Sequence, residues 1–193
     1  IPMIYFSTDY VFDGQGENFW KEDDLKAPLN VYGQTKYEGE LAVQELMDKY
    51  FILRISWVFG VNGSNFIKTM LRLGKERGAV SVVADQIGTP TYTHDLAKLV
   101  IEMVQTERYG VYHVTNDGIC SWYEFACEIF KQAGMDVKVT PVTTAEYPAK
   151  AKRPFNSRMS KDKLKASGFS MLPDWKDALE RYLNALGDKT AGK

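Results

Sequence analysis

The stretch VYGQTKYEGE, residues 31–40, places Tyr32 four residues before Lys36. On a helix, residues i and i+4 share a face, with Cβ atoms about 6 Å apart. A free phenol, with a pKa of about 10, is a poor acid at neutral pH. A neighbouring ammonium stabilises the phenolate. A tyrosine so placed can protonate a carbonyl oxygen as hydride reaches the carbon. The spacing alone is weak. Among 11 tyrosines, roughly one Y-x-x-x-K is expected by chance, and Tyr32–Lys36 is the only one. An exposed tyrosine beside an exposed lysine would read the same way.

Two other short stretches bear on the same chemistry. YFSTDYVFDG is an apolar run that ends abruptly in Ser7-Thr8-Asp9, and LRISWVFG ends in Ser56-Trp57. In open α/β sheets ligands bind at the carboxyl ends of strands. Hydroxyls there can bond a carbonyl oxygen, a carboxylate can accept from a sugar hydroxyl, and a tryptophan can wall a sugar ring. The alternative is structural: Ser7 and Thr8 satisfy loop backbone, Asp9 starts a turn and Trp57 is core. His94 and His113 have no metal-ligand spacing and read as structural.

The elements that must position these groups alternate between strand and helix. Residues 1–6 read as a strand and 13–29 as a polar loop. Asn30 caps a helix reaching about residue 49. FILRISWVF, 51–59, is a nearly continuous apolar run, as a buried parallel strand would be. A loop at 60–64 precedes a helix in NFIKTMLRLGKERG, then a strand at 80–83. Thr93 is placed to cap HDLAKLVIEMVQ, and GVYHVT is a strand. Ser121 and Glu124 form an S-x-x-E capping box, with Gly134 at the other end of that helix. VKVTPV is a strand, and short helices follow near 160–167 and 174–187. This order predicts an α/β fold with a mostly parallel sheet. From about residue 137 the elements are short and loop-rich, which suggests an attached lobe.

Composition bounds the rest. The 193 residues suit one domain, or one domain plus a small lobe. Hydrophobic residues make up 45% and aromatics 13%, enough for a sizeable core. A formal net charge of -1 with scattered Lys and Arg argues against nucleic-acid or anionic-membrane partners. Cys120 and Cys127 form neither a CxxC nor a zinc spacing, which suits a reducing cytoplasm. No apolar run approaches a membrane span.

STDYVFDG, PLNVYGQTKYEGE, LRISWVFG, NFIKTMLRL, VVADQIGTPTYTHDLA and RPFNSRMSKDKL, in this order, resemble the dTDP-4-dehydrorhamnose reductases. These are extended short-chain dehydrogenase/reductases of dTDP-L-rhamnose synthesis. The resemblance implies a Rossmann-like fold, with residues 1–136 as the carboxy-terminal part of the dinucleotide-binding domain with interleaved substrate-binding segments and 137–193 as mainly a small carboxy-terminal α/β substrate-binding lobe. It also implies a catalytic set of Thr8, Tyr32 and Lys36. Tyr32 would protonate the C4 keto oxygen, Thr8 would hydrogen-bond it, and Lys36 would support the phenolate and hold the nicotinamide ribose. Ser7, Ile55 and Ser56 would lie against the nicotinamide of NADPH or NADH. Asp9, Tyr10 and Trp57 would line the deoxyhexose of a dTDP-sugar. Asn65, Gln86, Gly88 and Pro90 would face the nucleotide diphosphate, with Arg153 and Asn156 at the substrate mouth. For Arg153 a solvated loop charge is the plain alternative.

The chain departs from the family in one respect. It has no glycine-rich pyrophosphate turn, since Gly14-Gln15-Gly16 is followed by Phe19 and precedes no helix. An amino-terminal part of about a hundred residues is therefore expected to be missing, with NAD(P) bound weakly or not at all by what remains. An unpaired sheet edge would favour homodimers or other self-association. Some family members suggest Mg2+ between subunits, so Mg2+ is an expectation for the intact protein only. Three rivals share parts of the pattern. Dehydratases carry an acid where Tyr10 stands. Epimerases are countered by Trp57 and STDYVF. The non-catalytic β subunit of methionine adenosyltransferase is countered by Thr8 and Ser56-Trp57.

Overall fold

The computed structural model describes residues 1–147 and 151–191; the parts of the expected lobe at 148–150 and 192–193 lie outside them. In chain order the elements begin with β1 (Met3–Thr8), α1 (Val31–Leu46), β2 (Tyr50–Ile55), β3 (Val58–Phe59) and α2 (Phe66–Arg77). Next come β4 (Ala79–Val83), β5 (Ile87–Gly88), β6 (Thr91–Tyr92), α3 (Thr93–Val104) and β7 (Gly110–His113). The remainder are β8 (Cys120–Ser121), α4 (Trp122–Gln132), β9 (Lys138–Val142), α5 (Asp162–Ala166) and α6 (Trp175–Ala191). The α/β alternation read from the sequence is borne out.

β1, β2 and β7 form a parallel sheet in the order β1-β2-β7. β2 is central, and its Phe51, Ile52 and Leu53 are buried, which explains the continuous apolar run. β1 lies at an edge, with Met3 and Phe6 exposed. β3 pairs with β6 and β4 with β9, both parallel, while β5 and β8 are antiparallel.

Two cores result. One packs Phe51, Leu53, Leu96, Leu99 and Met103 around the three-stranded sheet. The other joins Ile67, Phe125, Ile129, Leu179 and Tyr182 from α2, α4 and α6. Val137 and Val139 pack against this second core, so the boundary expected at 136–137 runs through it. Among the described residues, no helix is long and apolar enough to cross a membrane.

Three local readings need correction. The run 51–59 is two strands, because Trp57 adopts a left-handed backbone, φ 48°, that interrupts the extended chain. Thr93 does not cap α3: it is the first helical residue, and the cap position is Tyr92 with no side-chain bond. The first helix stops at Leu46, three residues short of the expected end. Other punctuation holds. Asn30 accepts from the Gly33 amide at 2.9 Å, Asn65 caps α2, and the Ser121–Glu124 capping box is complete. Such caps contribute about 1 kcal/mol each.

Candidate active site

The register of β1 and β2 sets Thr8 opposite Ile55, so the two polar strand ends lie side by side. α1 crosses above them. Its approach depends on Gly33, where an added Cβ would lie 2.2 Å from the Tyr10 carbonyl oxygen. Only a residue without a side chain permits that contact. The result is a cleft of about 410 Å³ lined by Ser7, Thr8, Asp9, Tyr10, Tyr32, Lys36, Ile55, Ser56 and Trp57, with Trp122 beside them.

Tyr32 is 54% exposed on the rim, one helical turn before Lys36. Its ring meets Tyr10 edge-to-face at 5.6 Å. The Lys36 ammonium sits 4.5 Å from the Tyr5 ring centroid, and the Tyr5 hydroxyl donates to the Lys36 carbonyl at 3.2 Å. Tyr5 thus braces the lysine from below.

The floor is polar and buried. Asp9 is 3% exposed. Its Oδ1 accepts from the Thr8 hydroxyl at 3.0 Å, and its Oδ2 accepts from the Ser157 hydroxyl. No ion pair among the described residues involves it. Burial therefore dominates and pushes the carboxyl up to about 6, although both hydroxyls act the other way. Thr8 Oγ1 also accepts from the Tyr10 amide at 3.2 Å, capping the 3-10 turn Asp9–Val11. Burial, followed by the charge of Asp9, pushes the Tyr10 phenol up to about 12, with Arg153 opposing. Ser7 Oγ is buried and has no hydrogen-bond partner.

Trp57 and Trp122 form the wall, stacked at 3.7 Å between centroids and 15° between planes. Gly88 backs them, since a Cβ there would come within 2.9 Å of the Trp57 ring. A left-handed non-glycine backbone costs of the order of 1–3 kcal/mol and clusters at functional sites. Here it turns the indole off the strand line into the cleft.

Not every expected residue faces this cleft. Ser56 lines it, but its hydroxyl donates to the Thr89 carbonyl at 2.7 Å. Asn65 is committed to capping α2 and to the Gly60 carbonyl. Gln86 is buried and donates to Thr144 at 3.0 Å. Pro90 is buried and Arg153 exposed, its charge felt at Tyr10. Asn156 is 1% exposed, and its amide donates to the Asn18 carbonyl at 2.8 Å. It braces the 15–18 loop from inside rather than opening onto a mouth. His113 is buried, as a structural histidine would be, with Nδ1 3.1 Å from the Ser160 carbonyl oxygen. That distance and the Arg54 guanidinium facing Nε2 assign the proton to Nδ1.

The sequence reasoning missed Trp122, Ser157 and the ion pair beneath α1. Trp122 follows the capping serine, and that box could have placed it at a helix start. Arg54 and Glu40 form a buried bidentate pair at 2.9 and 2.7 Å that ties α1 to β2. A lone arginine inside FILRISWVF was its signal. Nothing in the sequence marks Ser157. Among the described residues, no group of three or more His, Cys, Asp and Glu could hold a metal ion.

The profile of the RmlD substrate binding domain matches residues 1–187. The dTDP-4-dehydrorhamnose reductase of Escherichia coli strain K12 is 42% identical over 98% of this chain. The chain belongs to the dTDP-4-dehydrorhamnose reductase family. The family member from Bacillus anthracis, solved in complex with NADP, is 49% identical with a TM-score of 0.93 over 95% of this chain. That from Clostridium acetobutylicum is 46% identical with a TM-score of 0.94 over 96%. This chain spans about two thirds of their length: 67% of the Escherichia coli enzyme and 66% of each solved structure.

Proposed function

We propose that this cleft reduces the 4-keto group of a dTDP-linked 6-deoxyhexose, dTDP-4-dehydro-L-rhamnose, to the alcohol. The observation that carries the reading is the convergence of Thr8, Tyr32, Lys36 and Trp57 on one cleft at two parallel strand ends. The names of the relatives support the substrate class.

A reduced nicotinamide, NADPH or NADH, supplies the hydride. Tyr32 gives its phenolic proton to the ketone oxygen as the carbon accepts hydride, so ketone, hydride and proton balance to the alcohol. Lys36, one turn on, favours the phenolate left behind. The buried, unpartnered Ser7 hydroxyl, the half-buried Ile55 and Lys36 suit the nicotinamide riboside end of the cofactor. The Trp57–Trp122 stack walls one side of the sugar ring. Thr8 gives its proton to Asp9 in this structure, so it bonds the substrate oxygen only by turning its hydroxyl away from that carboxylate. Both cysteines are free thiols, in keeping with a reducing cytoplasm.

The test is consumption of reduced nicotinamide by the intact protein with dTDP-4-dehydro-L-rhamnose as substrate. Tyr32→Phe is expected to lower kcat by about 100-fold or more. The fold should be undisturbed, because the ring is half exposed and remains. Full activity in Tyr32→Phe would remove the assigned acid.

A further inference from the structure

We propose that Ser157 is a positioning residue of this cleft: it fixes Asp9 from the opposite side to Thr8, so that the carboxylate presents its free lone pairs to a hydroxyl of the bound sugar. The proposal rests on the reading of the cleft as a sugar site.

The two residues are 148 positions apart, and the Ser157 hydroxyl reaches the carboxylate across the molecule. Ser157 is itself rigidly held. Its amide donates to the Ile87 carbonyl at 2.7 Å, the Ile87 amide donates to Phe155 at 2.8 Å, and the Asn156 amide donates to Gly14 at 2.9 Å. It is 2% exposed and packs against Gly88, where an added Cβ would come within 3.0 Å of it. The same glycine backs Trp57. One residue of the RPFNSR segment therefore touches both the acid on the floor and the support of the indole wall.

The chemistry explains why a hydroxyl stands there. An arginine or lysine would fix Asp9 more strongly, but it would occupy the carboxylate and neutralise it. The two hydroxyls and the Asp9 amide leave the carboxylate at least one lone pair to accept, and once Thr8 turns to the ketone oxygen Ser157 is the side-chain donor that keeps it oriented. Asp9 thereby stays oriented yet available. The other ionisable groups around it are Tyr10 on its own turn, Tyr32 and Lys36 on α1, and Arg153, whose charge is felt at Tyr10.

The experiment compares the protein with Ser157→Ala, Ser157→Thr and Ser157→Cys. Two readouts are used: the titration of the Asp9 carboxyl followed by carbon-13 NMR, and calorimetric binding of dTDP-L-rhamnose. Ser157→Ala removes a donor to the carboxylate, so the Asp9 midpoint should rise by about half a pH unit or more. Binding should weaken by about tenfold, the usual scale for a hydrogen bond to a charged group. Ser157→Thr restores both, and Ser157→Cys, a weaker donor of similar size, falls between. An unchanged midpoint and unchanged affinity in folded Ser157→Ala overturn the proposal. If the parent protein binds no dTDP-L-rhamnose, the sugar-site reading fails. The NMR titration then still decides whether Ser157 holds Asp9.

Discussion

Asp9 and Asp95 are both buried, at 3% and 5% exposure, but Asp9 lies deeper among protein atoms, and their carboxyls are perturbed in opposite directions. At Asp95 burial pushes upward. The hydrogen bonds from Arg181 and Asn116 outweigh it, and the carboxyl ends below its ordinary range. At Asp9 no cation is paired, two hydroxyls are the only side-chain donors, and burial wins. The Asp95 network joins α3, α6 and the chain after β7, and it is structural. The Asp9 network floors a cleft. A buried acid that a fold neutralises with arginine is an anchor, and one left with hydroxyls keeps capacity for a ligand.

The contrast can be tested first at its most strongly paired acid. Glu40 and Arg54 are both fully buried, and Arg54 also donates to the Glu22 carbonyl. Arg54→Met strands the Glu40 carboxylate and should cost about 3–5 kcal/mol in urea denaturation. A loss below about 1 kcal/mol would break the claim that the arginine is what makes such an acid an anchor.

Asp9→Asn should act in the opposite sense. A raised carboxyl contributes stability that is full below the ordinary carboxylate pKa and is lost as pH rises through about 6. The amide avoids that loss. The variant should be more stable than its parent at pH 8 by up to about 3 kcal/mol, and the advantage should vanish by pH 4. Denaturation midpoints across that range decide it, and a pH-independent difference contradicts the picture of a raised Asp9. The smallest effect is expected at Arg181, whose side chain is 35% exposed. Arg181→Met leaves Asp95 with Asn116 and partial access to water, for a loss of about 1–2 kcal/mol. A loss as large as that of Arg54→Met would show that exposure does not moderate the pair.

How much of this was legible in the sequence follows from the range of each interaction. Alternation of apolar runs and capped helices marked the α/β order, since a cap is satisfied within three or four residues. Asn30, Asn65 and the Ser121–Glu124 box sit where expected. Thr93 failed as a cap because the helix already begins at it, with Tyr92 in the cap position and its amide held by Asn116, 24 positions away. Asn65 and Gln86, expected to face a nucleotide, bond Gly60 and Thr144 in this structure. The motif order could not show which way each polar group turns.

The sequence by itself determined the local chemistry: a tyrosine and lysine one turn apart, polar strand ends at Ser7-Thr8-Asp9 and Ser56-Trp57, and the family order of its motifs. These depend on spacing along the chain. Only the tertiary structure decided that the two strand ends adjoin, that Trp57 turns through a left-handed backbone to stack on Trp122, and that Ser157 reaches Asp9. These contacts join residues far apart in the chain. Their energy comes from burial and hydrogen-bond satisfaction in three dimensions, which no local pattern encodes.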